Sequence, residues 1–236
     1  MTSADSAATQ LAELEQRTEA ALGTLEQDNR WEEALVIYRA AGAEVDRLTA
    51  GVPRKDPLYR PARKLRAYLY LREANALRAL GREAEAAPLG ELELSAAMAS
   101  GEGLSIARAM FSLGTTCLVN GQAERGLRLI GESKAMFEHV DEPEYKQGLG
   151  WWYLIQADLS AAGLVDTSAG YALECAQTAL AILRPLNNWA GIARAHAARA
   201  AAYERLGDPR AAQVARTAEQ MALAMLTRKA TEPAGH

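Results

Sequence analysis

The sequence has few of the residues that build β-sheets. Its 236 residues include seven Val and six Ile, against 50 Ala and 31 Leu. Because β-branched residues favour strands whereas Ala and Leu favour helices, this imbalance excludes a β-rich fold and predicts an all-α one. Aromatic residues are also scarce, with two Phe, four Trp and eight Tyr. A core made mainly of Ala and Leu requires helices that pack closely.

The sequence also lacks an excess of positive charge, clustered cysteines and a long apolar run. Its formal net charge of −4 provides no general attraction for nucleic acid or for an anionic membrane. Cys117 and Cys175 lie far apart, without the spacing of a disulfide framework or a zinc site. No apolar stretch approaches the roughly 18 residues that a membrane span needs, and the first residues do not resemble a signal peptide. We therefore expect a cytoplasmic protein that binds neither nucleic acid nor membranes.

Motifs that carry catalysis or bind cofactors are missing as well. There is no GxGxxG, GxxxxGK[ST] or GxSxG pattern, and none of the three histidines has metal-ligand spacing. Glu91 and Glu93 are two residues apart, point to different sides of a helix and are predicted to be surface charges. The sequence thus predicts no enzyme activity, no metal and no cofactor. His196 is predicted to be a packing residue, and an enzyme stays open only if it shares a deep pocket with Arg199 and a carboxylate such as Glu204.

What the sequence does contain is a repeated alternation of amphipathic stretches and stops. The stops lie at Asn29, Gly81, Gly121, Gly163 and Gly207. The first spacing is 52 residues and the others are 40, 42 and 44 residues. Each interval contains two stretches with helical periodicity, so the pattern predicts about five helix pairs. A loop rich in Pro and Gly around residues 49–57 explains the longer first spacing.

One segment carries the features of a known repeat. Residues 29–41, NRWEEALVIYRAA, place small Ala34, aromatic Tyr38 and small Ala41 at characteristic intervals. This segment resembles the second helix of a tetratricopeptide (TPR) unit, here of an extended type similar to those in bacterial regulators and peptide-binding scaffolds. The resemblance implies a right-handed superhelical solenoid of about five antiparallel helix pairs. Another helical solenoid with a period of 40 to 47 residues remains the alternative.

We predict one TPR-like repeat domain over residues 1–236. Its units lie at about 8–50, 59–100, 104–142, 144–187 and 189–227, with flexible tails at 1–7 and 228–236. The second helix of the second unit is predicted to open at Arg82. The last helix is predicted to begin at Asp208 and Pro209. Its predicted apolar stripe comprises Ala211, Val214, Ala215, Ala218, Met221, Ala222 and Met225.

The resemblance also implies a binding surface, because the first helix of each TPR pair lines a concave groove. The groove positions carried over are Tyr68, Asn75, Arg78, Arg108, Phe111, Thr115, Tyr153 and Arg194. Arginine, amide and aromatic groups can hold an extended peptide. The implied function is a protein- or peptide-binding scaffold or adaptor. The alternative is a regulatory sensor that binds a small molecule or a signalling peptide and acts on a separate effector.

Two further surfaces are candidates for partners. A basic cluster adjoins the loop rich in proline and is opposed by Asp56 alone. It comprises Arg54, Lys55, Arg60, Arg63, Lys64 and Arg66. An acidic partner or a phosphate would suit it, and a solvated surface is the alternative. The terminal helices of a solenoid expose apolar faces unless they are capped, so self-association through them is also predicted as an option.

Overall fold

The structure is a computed structural model that describes residues 3–26 and 28–231. Within these residues all regular structure is helical, and the all-α class predicted from the composition is confirmed. A π-helical turn, Leu22–Glu26, follows the first helix. The α-helices are α1 Ser3–Ala21, α2 Trp31–Leu48, α3 Tyr59–Ala79, α4 Glu83–Ala86, α5 Leu89–Ser100, α6 Gly103–Val119, α7 Ala123–His139, α8 Pro143–Ala161, α9 Ala169–Leu183, α10 Trp189–Arg205 and α11 Pro209–Thr231.

The chain divides into two compact units, Met1–Ser133 and Lys134–His236. In the first unit α1 packs on α2, α2 on α3, α3 on α5 and α5 on α6, while α3 also contacts α6. In the second unit α8 packs on α9, α9 on α10 and α10 on α11, while α8 also contacts α10. Within each unit, therefore, sequence neighbours lie side by side and the next helix but one is also in contact. The limits of the individual repeat units stay a prediction.

The stops found in the sequence are left-handed turns at helix ends. Gly81 has a φ of +70° and Gly121 a φ of +76°. Each is followed by the hydrogen bonds of a Schellman motif, such as Arg82 N–H to Leu77 O at 2.8 Å and Gly81 N–H to Arg78 O at 3.0 Å. Asn29 takes the same conformation with a φ of +57°. Glycine and asparagine occur here because the left-handed region is costly for other residues.

Small residues let neighbouring helices approach closely. A Cβ placed on Gly114 of α6 would lie 3.0 Å from the Gly126 carbonyl oxygen of α7 and 2.9 Å from Ile130 Cγ1. Alanines fill similar positions elsewhere, since Ala34 of α2 and Ala176 of α9 are completely buried. The abundance of Ala therefore reflects close helix contacts as well as helix propensity.

A buried polar cluster ties the π-turn to α2 and α3. Tyr38, the aromatic residue of the TPR-like segment, has no exposed surface, and its hydroxyl donates to Glu26 Oε1 at 2.5 Å. Glu26 also pairs with Arg72 of α3, whose Nε donates to Oε1 at 3.1 Å. The two side chains of this ion pair are 8% and 15% exposed. Because the carboxylate accepts from both partners, the charges are compensated within the core.

The second helix of the second unit is broken, so the prediction of one continuous helix is wrong. Instead of one helix opening at Arg82, a single turn, α4, ends at Ala86, and α5 begins at Leu89. Pro88 lies at this junction and has no N–H to donate to the preceding turn.

The final helix begins as predicted, but only part of its predicted apolar stripe is buried. Asp208 Oδ1 accepts from Ala211 N–H at 3.0 Å and caps α11. The predicted apolar stripe is correct at Ala215 and Ala222, which are buried. It is wrong at Val214 and Met221, whose side chains are 70% and 67% exposed, and at Met225, which is 39% exposed. The buried residues of α11 are Ala212, Ala215 and Ala222, the small side chains that permit close contact with α10. Self-association through this helix stays a prediction.

Helix extends into both segments that were predicted to be tails. α1 begins at Ser3 and α11 ends at Thr231, whereas residues 1–2 and 232–236 lie outside the described part of the chain.

The contact between α6 and α7 can be tested by adding a methyl group. We expect Gly114→Ala to destabilise the protein by about 1 to 3 kcal/mol, because the new Cβ meets backbone atoms of α7. Gly131→Ala on α7 is the control, since no atom lies within 4 Å of its Cβ position. We expect this control to stabilise by about 0.5 to 1 kcal/mol through the entropy of the unfolded chain. Urea unfolding measures both, and equal effects would contradict the close contact.

Candidate functional site

Six of the predicted groove residues lie on two adjacent helices of the first unit. They form what we call the α3–α6 face: Tyr68, Asn75 and Arg78 on α3, with Arg108, Phe111 and Thr115 on α6. On each helix the spacings of three, four and seven residues place them along one side. The two helices contact each other, so the six positions share one region of the unit.

Arg78 and Asn75 are engaged inside the protein. The Arg78 guanidinium donates to Asn75 Oδ1 at 3.1 Å and, across the helix contact, to Thr116 Oγ1 on α6 at 3.0 Å. Burial lowers the pKa of Arg78, although Glu93 nearby opposes this effect. Arg78 thus joins α3 to α6, and Arg78 and Asn75 form the inner, partly buried part of the face.

The upper part of the face combines aromatic and basic groups. Tyr68 is half-buried, and burial raises its pKa while the nearby charges of Arg72 and Arg108 oppose that rise. Phe111 and Thr115 are also half-buried, and the Thr115 hydroxyl donates to the Phe111 carbonyl oxygen at 3.0 Å. This part of the face therefore places two partly buried aromatic rings beside the charge of Arg108.

The two remaining groove residues belong to the second unit. Tyr153 of α8 makes an edge-to-face contact with Trp152, with ring centroids 5.1 Å apart, and lies under the Lys134 ammonium. Arg194 of α10 forms an ion pair with Asp158 and lies 5.8 Å from the centroid of the Trp151 ring. Trp152 is buried.

The basic cluster is divided by the fold. Arg66 forms an ion pair with Asp46 at 3.1 Å and stacks on Tyr70, with 3.8 Å from its guanidinium carbon to the ring centroid. Arg54, Arg60 and Arg63 instead line a cavity. Lys55 and Lys64 are exposed and do not line it.

A catalytic site of the kind considered above would need His196, Arg199 and a carboxylate such as Glu204 in one deep pocket. The structure does not bring these three side chains together. His196 is buried, with its Nδ1 atom 3.3 Å from Arg199 Nη1, and burial together with the charges of Arg199 and Arg184 lowers its pKa. Glu204 forms an ion pair with Arg216 instead. An open hollow of about 360 Å³ beside Arg199 has no carboxylate in its lining, which consists of Gln177, Leu180, Ala181, Arg184 and Arg199.

Within residues 3–26 and 28–231, no group of three His, Cys, Asp or Glu side chains is arranged to hold a metal ion. None of the helices described has the length and apolar character to cross a membrane.

Comparison with known proteins identifies the fold. No family model matches the sequence, and no curated protein matches it. Among solved structures, BtubC (BKLC) from P. vanneervenii is similar with a TM-score of 0.56 and 18% identity, over 98% of this chain and 95% of that chain. A putative kinesin light chain from Podosopora anserina with nearly identical TPR-like repeats aligns with a TM-score of 0.47 and 19% identity, over 92% of this chain and 98% of that chain. This chain has a TPR-like helical-repeat fold. The predicted all-α, TPR-like repeat fold is confirmed, whereas the right-handed superhelix and the number of helix pairs stay predictions.

The burial of Glu93 on α5, near the α3–α6 face, was not predicted from the sequence. Glu91 is exposed and pairs with Arg125 at 2.6 Å, as expected of a surface charge. The same prediction for Glu93 is wrong, because its side chain is 2% exposed within the TPR-like fold. Burial raises its pKa to about 8, although Ser112 and Arg78 beside it oppose the rise. Glu93 Oε2 has no hydrogen-bond partner among the described residues. The sequence did contain a signal for this burial, because Glu93 lies on the otherwise mostly apolar side of α5.

The buried Glu93 predicts a specific pH dependence of stability. Its folded pKa of about 8 exceeds the ordinary value of 4.5, so the folded state holds the proton more tightly between these values. The free energy of unfolding should fall as pH rises from about 5 to 8, by at most about 1.4 kcal/mol per pH unit, and then level off. Glu93→Gln should remove this decline and raise the melting temperature by several degrees at high pH.

Thermal unfolding from about pH 5 to 9 measures this effect as the difference between wild type and variant. Glu124→Gln, at an exposed position of α7, is the matched control and should follow the wild type. A Glu93→Gln curve parallel to the wild type would show that the carboxyl has an ordinary pKa.

Proposed function

We propose that this protein is a protein- or peptide-binding scaffold and that the α3–α6 face is its contact surface. TPR-like repeats typically bind proteins and are generally non-catalytic scaffolds. The observation that carries the proposal is the arrangement of Tyr68, Arg108 and Phe111 on two adjacent first helices. Aromatic and arginine side chains dominate the binding energy of protein interfaces.

The hydrogen bonds in the inner part of the face support the same proposal. The hydrogen bonds of Arg78 to Asn75 and Thr116 hold α3 against α6. Contacts that restrain the two helices reduce the conformational entropy that is lost when a partner binds, and this favours affinity. We therefore assign direct contact to Tyr68, Arg108 and Phe111, and a supporting role to Asn75 and Arg78.

The proposal can be tested without knowing the natural partner. A library of displayed peptides is selected on the wild-type protein, and the dissociation constants of selected peptides are measured by fluorescence anisotropy. We expect Tyr68→Ala, Arg108→Gln and Phe111→Ala each to weaken binding by about tenfold or more, because such residues act as hot spots.

Matched controls are available on α7 of the same unit. Arg128→Gln removes an exposed arginine, and Leu127→Ala removes a leucine that is 54% exposed. Both should leave affinity within about twofold of the wild type. Equal losses in the α7 and α3–α6 variants, or unchanged affinity in the latter, would overturn the assignment of the face.

A regulatory sensor is the second candidate. The observation that favours it is the cavity lined by Arg54, Arg60 and Arg63, because a scaffold that binds only through the α3–α6 face does not need it. Such a sensor would act on a separate effector.

A further inference from the structure

The first unit contains a cavity of about 630 Å³ bounded by α3, α5 and the loop that precedes α3. One side is basic, with Arg54 from the loop and Arg60 and Arg63 from α3. The other side is mostly apolar and comes from α5. No acidic residue is among the lining residues, which also include Tyr59, Tyr70, Leu92, Ser95, Ala96, Met98 and Ala99.

Among the described residues, no ion pair compensates the positive charge of this cavity. No ion pair joins Arg54, Arg60 or Arg63 to an acidic side chain in the described part of the chain. The Nε atom of Arg63 is buried and has no hydrogen-bond partner there. Arg66, three residues further along α3, is paired with Asp46. Three arginines without an acidic partner in the described ranges give the cavity a positive potential, which favours an anion.

Aromatic rings hold parts of the wall in place. The guanidinium carbon of Arg63 lies 5.2 Å from the centroid of the Tyr59 ring. Tyr70 is covered by the guanidinium of Arg66, which Asp46 holds from the other side. The ring contact restricts Arg63, which therefore loses less side-chain entropy when it binds a ligand.

We propose that this cavity binds a small organic phosphate monoester. Guanidinium groups match the oxygens of a phosphate in planar, paired hydrogen bonds, and a phosphate dianion balances several of them better than a single carboxylate. The apolar carrier of the phosphate lies on Leu92, Ala96 and Met98 of α5. The cavity volume falls in the range of small-molecule sites. None of its lining residues belongs to the α3–α6 face, so the two sites can be tested separately.

Phenyl phosphate is a suitable probe, because it joins a phosphate to an apolar ring. Isothermal titration calorimetry on the full chain should give a dissociation constant of about 1 mM or lower. Inorganic phosphate should bind about tenfold more weakly, because it lacks the apolar contact, and benzyl alcohol should not bind measurably. Absence of phenyl phosphate binding at ~10 mM would overturn the proposal. Binding of a phosphotyrosine peptide without binding of phenyl phosphate would also overturn the small-molecule assignment.

The basic cluster supplies its own matched controls. Arg54→Gln and Lys55→Gln remove one charge each from adjacent positions, but only Arg54 lines the cavity. Arg63→Gln and Lys64→Gln form a second such pair on α3. We expect each arginine variant to weaken phenyl phosphate binding by about tenfold and each lysine variant by less than about twofold.

Equal losses from arginine and lysine variants would show a general electrostatic attraction and would overturn the cavity as a specific site. Arg54 is exposed and lies in a loop, so its substitution should leave the thermal unfolding curve unchanged. This variant keeps the test decisive if Arg63→Gln disturbs folding.

Discussion

The close approach of neighbouring helices is the constraint on which the rest of this structure depends. Gly114 of α6 lies against Gly126 of α7, and alanines such as Ala34 and Ala176 are completely buried. Because these residues bury little apolar area each, cohesion must come from many short contacts between backbones and small side chains. A chain with two Phe and four Trp can fold in this way only if its helices come close together. Close contact also leaves no room for an added methyl group at the tightest positions.

The same close packing determines where polar groups lie. Glu93 and Arg78 are enclosed where α3, α5 and α6 meet, and Glu26 is enclosed between the π-turn, α2 and α3. Arg78 and Glu26 find hydrogen-bond partners within the protein, whereas Glu93 Oε2 has none among the described residues, and burial raises the pKa of this carboxyl. Arg78 donates its hydrogen bonds to Asn75 and Thr116 and so joins α3 to α6 in the inner part of the proposed contact face. Arg54 and Arg63, by contrast, face a cavity that holds no compensating charge. This difference separates supporting residues from those that can bind a ligand.

Features that depend on a single turn of the chain were predictable. The left-handed turn at Gly81 and the cap at Asp208 follow from residue types that suit those backbone conformations. Features that depend on a facing helix were harder to predict. The apolar stripe predicted for α11 included both Val214 and Ala215, yet Val214 is exposed and Ala215 is buried, because a small side chain allows the closest contact with α10. Periodicity also concealed the break at Pro88, because the apolar pattern continues across it.

The all-α class and the left-handed turns at the five stops follow from the order of amino acids alone, because they depend on the preferences of residues close together in the sequence. The TPR-like fold was inferred from the resemblance of one segment to a known repeat. Tertiary structure alone decided which side chains meet. Glu91 and Glu93 look alike in the sequence, and so do Arg54 and Lys55, but each pair is divided between different surroundings. The reason is physical: burial and neighbouring charge are set by helices that are distant along the chain, and a periodic pattern of small residues does not specify which of them come into contact.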